Sequence, residues 1–118
     1  MANKRITLHV EVTDEFCDDV RSTAVEGGIN YWAMPIKPKD NLWAEQDPST
    51  GNERKHFELT YDMIRFGLRK VLGGNLQLNS QIRADIFQAV VENDAGNIDA
   101  TGADVIIQAA VFSEIVYG

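Results

Sequence analysis

The chain has 118 residues, of which 44% are hydrophobic and 25% are charged, and its formal net charge is −7. This length and composition indicate one globular domain, residues 1–118, with enough apolar side chains for a core. Eighteen acidic residues against eleven basic ones argue against long, unspecific nucleic-acid binding, which needs a basic surface. A small anionic ligand is still permitted, because exposed charges are screened beyond about 8 Å at physiological salt and a local arginine cluster can act alone.

The sequence offers no sign of a membrane segment or of a disulfide framework. No apolar run approaches the length of a membrane span, and residues 1–5 lack the apolar stretch of a signal peptide. The single cysteine, Cys17, leaves no disulfide within the chain and no cysteine-rich metal site. We therefore expect a cytoplasmic location.

The first predicted elements are a strand and a helix. Residues 6–12 alternate apolar and polar side chains, which is the period of a half-buried strand. Thr13 is a good helix cap, and an apolar stripe at helical spacing follows it. Gly27 and Gly28 then predict the end of this helix, with a glycine in the left-handed conformation.

A hairpin is predicted next. Residues 34–41 contain prolines and indicate a loop, because proline lacks the N–H that a regular element uses. Residues 42–44 and 55–59 are short, partly alternating runs on either side of a turn, so they predict two paired strands. Trp43, in the first of these strands, is expected in the core.

The C-terminal half is predicted to be mostly helical. Thr60 begins a second helix that ends at Gly73 and Gly74, and Asn79 with Ser80 begins a third. The third helix carries two neighbouring stripes of side chains at helical spacing. We therefore expect two sides of this helix to contact other parts of the protein. These elements predict an α+β fold in which a small antiparallel sheet packs against three to four helices.

The last two elements are a buried helix and an edge strand. Thr101 and Asp104 have the spacing of a capping box, which predicts a helix start there. Residues 105–112 are apolar on almost every side except at Gln108, which predicts a buried helix. Residues 115–117 predict a closing strand at the edge of the sheet.

The sequence carries no arrangement of residues that favours catalysis. Both glycine pairs follow predicted helices and do not open them, so a standard phosphate-binding loop is not indicated. His9 and His56 lie in predicted strands without a companion at zinc-binding spacing. We therefore expect a protein that is not an enzyme and has no metal or other cofactor.

Side chains suited to holding a nucleotide are nevertheless present. Rings that can stack on a base are Tyr31, Trp32 and Phe87. Polar side chains in loops that can contact a base edge or ribose hydroxyls are Asn30, Asn97 and Asp99. Guanidinium groups that can hold a diphosphate are Arg65, Arg69 and Arg83. The alternative for Tyr31 and Trp32 is that they are core aromatics after a helix C-cap, and for Arg65 and Arg69 that they are solvated surface.

Three motifs give the chain a likeness to a known family. The segment EGGINYW (residues 26–32), together with residues 103–108 and 112–118, resembles the phage anti-Thoeris sponges. The likeness spans the whole chain in its length and in the order of the motifs. The first and last motifs, residues 26–32 and 112–118, are its most specific parts. Ser113 departs from the pattern, because the family usually has glycine between the final Phe and Glu.

The resemblance implies a function in host–virus conflict. Bacterial TIR-domain proteins make glycocyclic ADP-ribose when they sense infection, and sponges of this family sequester that signal without degrading it. The site lies where the subunits of a dimer, or of an assembly of dimers, meet. The expected location is the cytoplasm of the infected host. Capture of cyclic oligonucleotide signals at separate sites is also associated with the family, whereas DNA and membranes are not expected partners.

The resemblance also implies roles for individual residues. Phe87 stacks on the ligand, and Asn97 and Asp99 contact its polar edges, while Tyr31 and Trp32 lie near the ligand or support the site. Two alternatives stay open on the sequence. One is a small phage enzyme that cleaves the cyclic nucleotide with Asp99 as base, and the other is a phage protein that binds a host protein through Trp43 and the acidic surface.

Overall fold

A computed structural model describes residues 9–118. The four helices are α1 (Asp14–Thr23), α2 (Tyr61–Leu72), α3 (Ser80–Glu92) and α4 (Ala100–Phe112). The strands are β1 (Ala33–Pro35), β2 (Leu42–Gln46) and β3 (Glu53–Glu58), which form one antiparallel sheet in the order β1-β2-β3. The predicted α+β class is confirmed. Within residues 9–118, every helix is too short or too polar to cross a membrane.

Side-chain caps begin the first three helices where the sequence predicted them. The hydroxyl of Thr13 accepts from the backbone N–H of Phe16, and that of Thr60 from Met63, both at 3.1 Å. Asn79 caps α3 in the same way, with its Oδ1 2.8 Å from the Gln81 backbone nitrogen. Each cap satisfies an N–H that the first helical turn leaves without a partner, so these helix starts are local properties of the sequence.

The predicted hairpin is confirmed, and a third strand joins it. Trp43 pairs with Phe57 across β2 and β3, and Trp43 is buried as expected. The loop predicted for residues 34–41 is wrong at residues 34 and 35, which belong to β1, because Met34 pairs with Ala44 in β2. This strand is only three residues long, and it depends on its neighbour more than on its own pattern. Its proline is tolerated because β1 is an edge strand.

Helix α4 is the centre of the core. Nine of its thirteen residues are buried, which confirms the prediction of a buried helix. A side chain at Gly67 of α2 would overlap the carbonyl oxygen of Ile106, so glycine permits the close contact between α2 and α4. A Cβ at Gly28 would lie 2.9 Å from the Ala100 carbonyl oxygen, so this glycine permits a second close approach to α4.

Two N-terminal predictions are wrong in the described residues. Residues 9–12 form no strand, because they run beside α2, where the Val12 carbonyl accepts two hydrogen bonds from Arg65; residues 6–8 lie outside the described residues. Helix α1 continues as a π-helical turn, Ala24–Gly28, and ends there without a left-handed glycine, since φ of Gly27 is 174°.

Two C-terminal predictions are also wrong. Asp99, and not Thr101, caps α4, with its Oδ1 2.8 Å from the Gly102 nitrogen, so there is no capping box at Asp104. Residues 115–117 form no strand either. Gln108 supplies the hydrogen bonds that a neighbouring strand would have supplied, because its Oε1 accepts from the backbone N–H groups of Val116 and Tyr117, each at 2.8 Å.

Candidate ligand-binding site

A groove of about 390 Å³ lies between α2, α3 and residues 10–12. Its lining is apolar apart from two arginines and consists of Val10, Val12, Arg65, Leu68, Arg69, Leu72, Phe87, Val90 and Val91. Small-molecule sites typically enclose about 300–1,000 Å³ and combine an apolar lining with a few polar groups. The groove therefore has the size and chemistry of a ligand site.

Helical spacing brings these side chains together. Helix α2 contributes positions 65, 68, 69 and 72, and α3 contributes positions 87, 90 and 91, which are the spacings of one helix face. Phe87 keeps 49% of its surface exposed, so its ring is available to a ligand. Three of the expected site residues, Phe87, Arg65 and Arg69, thus line one groove.

Arg65 is held by the protein itself. Its Nε and Nη2 donate to the Val12 carbonyl oxygen at 3.0 and 2.8 Å, and Nη2 also donates to Asp14 Oδ1 at 2.6 Å. A longer contact of 3.4 Å joins its Nη1 to Asp62. The hydrogen bond to Asp14 raises the pKa of the guanidinium further above its usual range. Arg65 is thus charged, as arginines always are, and it is already paired.

Arg69 differs from Arg65 in having no such partners. It is exposed one helical turn further along α2, and its guanidinium makes no hydrogen bond or ion pair with any residue in the described range. Arg69 also borders a second, more polar cavity of about 130 Å³, which Lys70 shares. Its guanidinium is therefore available to an anion at the junction of the two cavities.

Asn97 and Asp99 lie in a different place from Phe87. They line a cavity of about 150 Å³ with Ile82, Asp85, Ile86, Thr101 and Gly102, and this cavity shares no lining residue with the groove. Asp99 also has a structural role as the cap of α4. A single chain thus does not bring Phe87 into one cavity with Asn97 and Asp99.

Arg83 is occupied by backbone carbonyl groups. Its Nε donates to the Val71 carbonyl oxygen at 3.0 Å, and its Nη2 donates to the Leu76 carbonyl oxygen. These contacts tie α3 to the end of α2 and the connection after it. Arg83 does not line the groove, so its position indicates a structural role.

Tyr31 and Trp32 form part of a hydrogen-bonded cluster around Asp104. The fully buried indole of Trp32 donates to Asp104 Oδ1 at 2.7 Å, and the Tyr31 hydroxyl donates to Oδ2 at 2.6 Å. Burial is the largest cause that raises the pKa of Tyr31, and the hydrogen bond to Asp104 adds to it. Trp32 also stacks on Tyr117, with ring centroids 5.6 Å apart.

The position of Trp32 matches the core-aromatic alternative, whereas Tyr31 is only partly buried. Asn30 is exposed and lines neither the groove nor the cavity at Asp99. Trp43 belongs to the core, so it offers little surface to a host protein.

Sequence reasoning missed two parts of the structure. One is the polar pair Asp104 and Gln108, whose side chains meet at 2.9 Å inside the core. Their spacing of four residues in an otherwise apolar helix was the available signal, since buried polar groups need partners. The other is the wall of the groove formed by Val10 and Val12. The alternating pattern of residues 6–12 predicted a strand there instead.

Comparison with known proteins adds no relative. The chain matches no family model, no curated protein and no solved structure. The geometry of the groove and the sequence motifs are therefore the features that bear on function.

Proposed function

We propose that this protein is a phage-encoded sponge that binds the TIR-produced signal glycocyclic ADP-ribose, holds it unchanged and thereby blocks Thoeris defence. The observation that carries the proposal is the groove in which the half-exposed ring of Phe87 and the unpaired guanidinium of Arg69 share one apolar lining. A ring can stack on the base, and a guanidinium can hold the diphosphate. The resemblance at residues 26–32 and 112–118 suggests which nucleotide it is.

The strength of binding that a sponge needs is compatible with this ligand. A nanomolar complex corresponds to about −12 kcal/mol. A ligand of roughly 35 heavy atoms at about −0.3 kcal/mol per atom reaches about −11 kcal/mol. Tight binding of the unreacted ligand serves a sponge directly, whereas in an enzyme it does not raise the rate of the chemical step.

The separation of the expected ligand contacts favours a site shared by two copies of the chain. Phe87 and Asn97 line different cavities of one chain, and the groove leaves Phe87 and Val91 about half exposed. Two copies related by a twofold axis bring the Phe87 face of one copy to the Asn97 face of the other, twice per dimer. The proposal therefore includes a homodimer, or an assembly of dimers, with two equivalent ligand sites per dimer.

The position of Asp99 favours sequestration over cleavage. Its Oδ1 already accepts the Gly102 N–H, and its cavity of about 150 Å³ is smaller than the groove at Phe87. A general base needs hydrogen-bond reach to the proton that it removes. A carboxylate that caps a helix beside a small cavity is poorly placed for that role.

The fate of the bound signal tests the proposal. Protein and glycocyclic ADP-ribose are incubated together, free ligand is removed, and the complex is denatured by heat before chromatography and mass spectrometry. We expect the intact cyclic compound to be released in the amount that was bound. Release of linear ADP-ribose would contradict the sponge and favour the enzyme, provided that the signal heated alone stays intact.

A further inference from the structure

We infer that Arg69 is the cation that meets the diphosphate of the ligand, and that Arg65 is a positioning residue that holds residues 10–12 as one wall of the groove. This inference rests on the proposed function, because it assigns roles within the same site. Both arginines line the groove, and they differ in what else they contact.

The donors of Arg65 are almost fully used. A guanidinium has five N–H groups, and in Arg65 those on Nε and Nη2 donate to Val12 and Asp14, while one on Nη1 faces Asp62. One N–H group is left for a ligand. Bidentate recognition of a phosphate needs two parallel N–H groups, so Arg65 would have to release a present partner first.

The positive charge of Arg65 is outweighed by two neighbouring carboxylates. The carboxylates of Asp14 and Asp62 lie 2.6 and 3.4 Å from its guanidinium, so the three groups together carry a net negative charge. A diphosphate brought to this end of the groove would meet two like charges beside one opposite charge. This end of the groove therefore disfavours an anion.

Arg69 has the opposite properties. It lies one helical turn after Arg65 on the same face of α2 and is exposed, and its guanidinium has no hydrogen-bond or ion-pair partner within residues 9–118. It borders both the groove and the small polar cavity beside Lys70. All of its donors are available, and a second positive charge is near, so this end of the groove favours a diphosphate.

The contacts of Arg65 explain its positioning role. Residues 9–12 have no helix or strand hydrogen bonds, yet Val10 and Val12 line the groove. The Val12 carbonyl is fixed by the two hydrogen bonds from Arg65, and the neighbouring Thr13 hydroxyl lies 3.3 Å from Asn93 Oδ1. Replacing Arg65 with lysine would therefore release the wall and keep the charge of the groove unchanged.

The test compares four variants of the full-length protein, Arg69→Gln, Arg69→Lys, Arg65→Gln and Arg65→Lys, by titration with glycocyclic ADP-ribose at low and high NaCl. We expect Arg69→Gln to weaken binding about tenfold or more and to lose most of its salt dependence. Arg69→Lys should recover part of both. Arg65→Lys should bind more weakly than wild type but keep the wild-type salt dependence, because lysine keeps the charge and lacks the fork that holds Val12. Arg65→Gln should bind more weakly still, because it also leaves the carboxylates of Asp14 and Asp62 without a neutralising charge.

A second readout detects the wall directly. NMR relaxation of the backbone amides should give lower order parameters for residues 10–12 in Arg65→Gln and in Arg65→Lys, and wild-type values in Arg69→Gln. Unchanged order parameters in both Arg65 variants overturn the positioning role, and wild-type affinity of Arg69→Gln overturns the diphosphate assignment. If wild-type protein binds no glycocyclic ADP-ribose, the proposed function and the diphosphate assignment both fail, whereas the order parameters still decide the role of Arg65.

Discussion

Replacing Asp104 with alanine is expected to lower the free energy of unfolding by about 3–5 kcal/mol, because two buried N–H groups would lose their acceptor. The carboxyl group accepts from the Trp32 indole at 2.7 Å, from the Gln108 amide at 2.9 Å and from the Tyr31 hydroxyl at 2.6 Å. Trp32 and Gln108 are fully buried, so water cannot replace the lost acceptor without opening the core. Urea unfolding at one fixed protein concentration measures the change.

Two further variants separate the buried cluster from the loss of a carboxyl group in general. Asp19→Ala removes an exposed carboxyl from α1 and should change the free energy of unfolding by less than about 0.5 kcal/mol. Asp104→Asn keeps one acceptor oxygen and should lie between the other two variants. If Asp104→Ala unfolds at the same urea concentration as Asp19→Ala, the cluster contributes nothing to stability and our account of the EGGINYW segment is wrong.

Replacing Phe87 with alanine is expected to abolish retention of the ligand at nanomolar protein concentration while the fold stays intact. Stacking of a base on an aromatic ring contributes about 1–3 kcal/mol, so the dissociation constant should rise by up to about 100-fold. Because 49% of the Phe87 surface is exposed, its loss should leave the unfolding transition nearly unchanged. Equilibrium dialysis with glycocyclic ADP-ribose measures retention, and circular dichroism during thermal unfolding checks the fold.

Phe66 provides the matched control. It is also a half-exposed phenylalanine, 41% exposed on α2, but it does not line the groove. Phe66→Ala should therefore retain the ligand at wild-type affinity. Equal loss of binding in both variants would mean that the effect comes from the surface or the fold, and not from the groove.

Asn97→Ala is expected to abolish retention as well, and its combination with Phe87→Ala tests the shared site. If each site takes Phe87 from one copy and Asn97 from the other, co-expression of the two single variants restores one intact site in each mixed dimer. Random pairing then recovers about one quarter of the wild-type sites. If isolated mixed dimers recover no binding, both residues belong to a site within one chain. If each single variant still protects phage in a Thoeris-bearing culture, the assignment of both residues to the site is wrong.

The sequence predicted the elements whose signals are local. Thr13, Thr60 and Asn79 cap their helices through residues two or three positions away, so single-chain patterns were sufficient. Asp104 was misassigned to a capping box because its partners Trp32 and Tyr31 are more than seventy positions away. The predicted strand over residues 115–117 failed for a similar reason, since a side chain of α4 takes the place of a neighbouring strand.

The candidate site was predicted as a set of residue types but not as an arrangement. Phe87, Arg65 and Arg69 could be proposed from the chemistry of nucleotide binding, and the packing of α2 against α3 brings them to one groove. The difference between Arg65 and Arg69 could not be predicted, because it depends on where residues 12–14 lie relative to α2. The separate cavity of Asn97 and Asp99 likewise depends on the connection between α3 and α4.

Calorimetric titration of the wild-type protein with purified glycocyclic ADP-ribose shows whether the chain binds the signal and leaves it unchanged. We predict a saturable heat with a dissociation constant of about nanomolar order, one ligand per chain, and no slow heat from turnover after each injection. Absence of any heat of binding at several temperatures, or a continuing heat that accompanies conversion of the signal, would contradict the account.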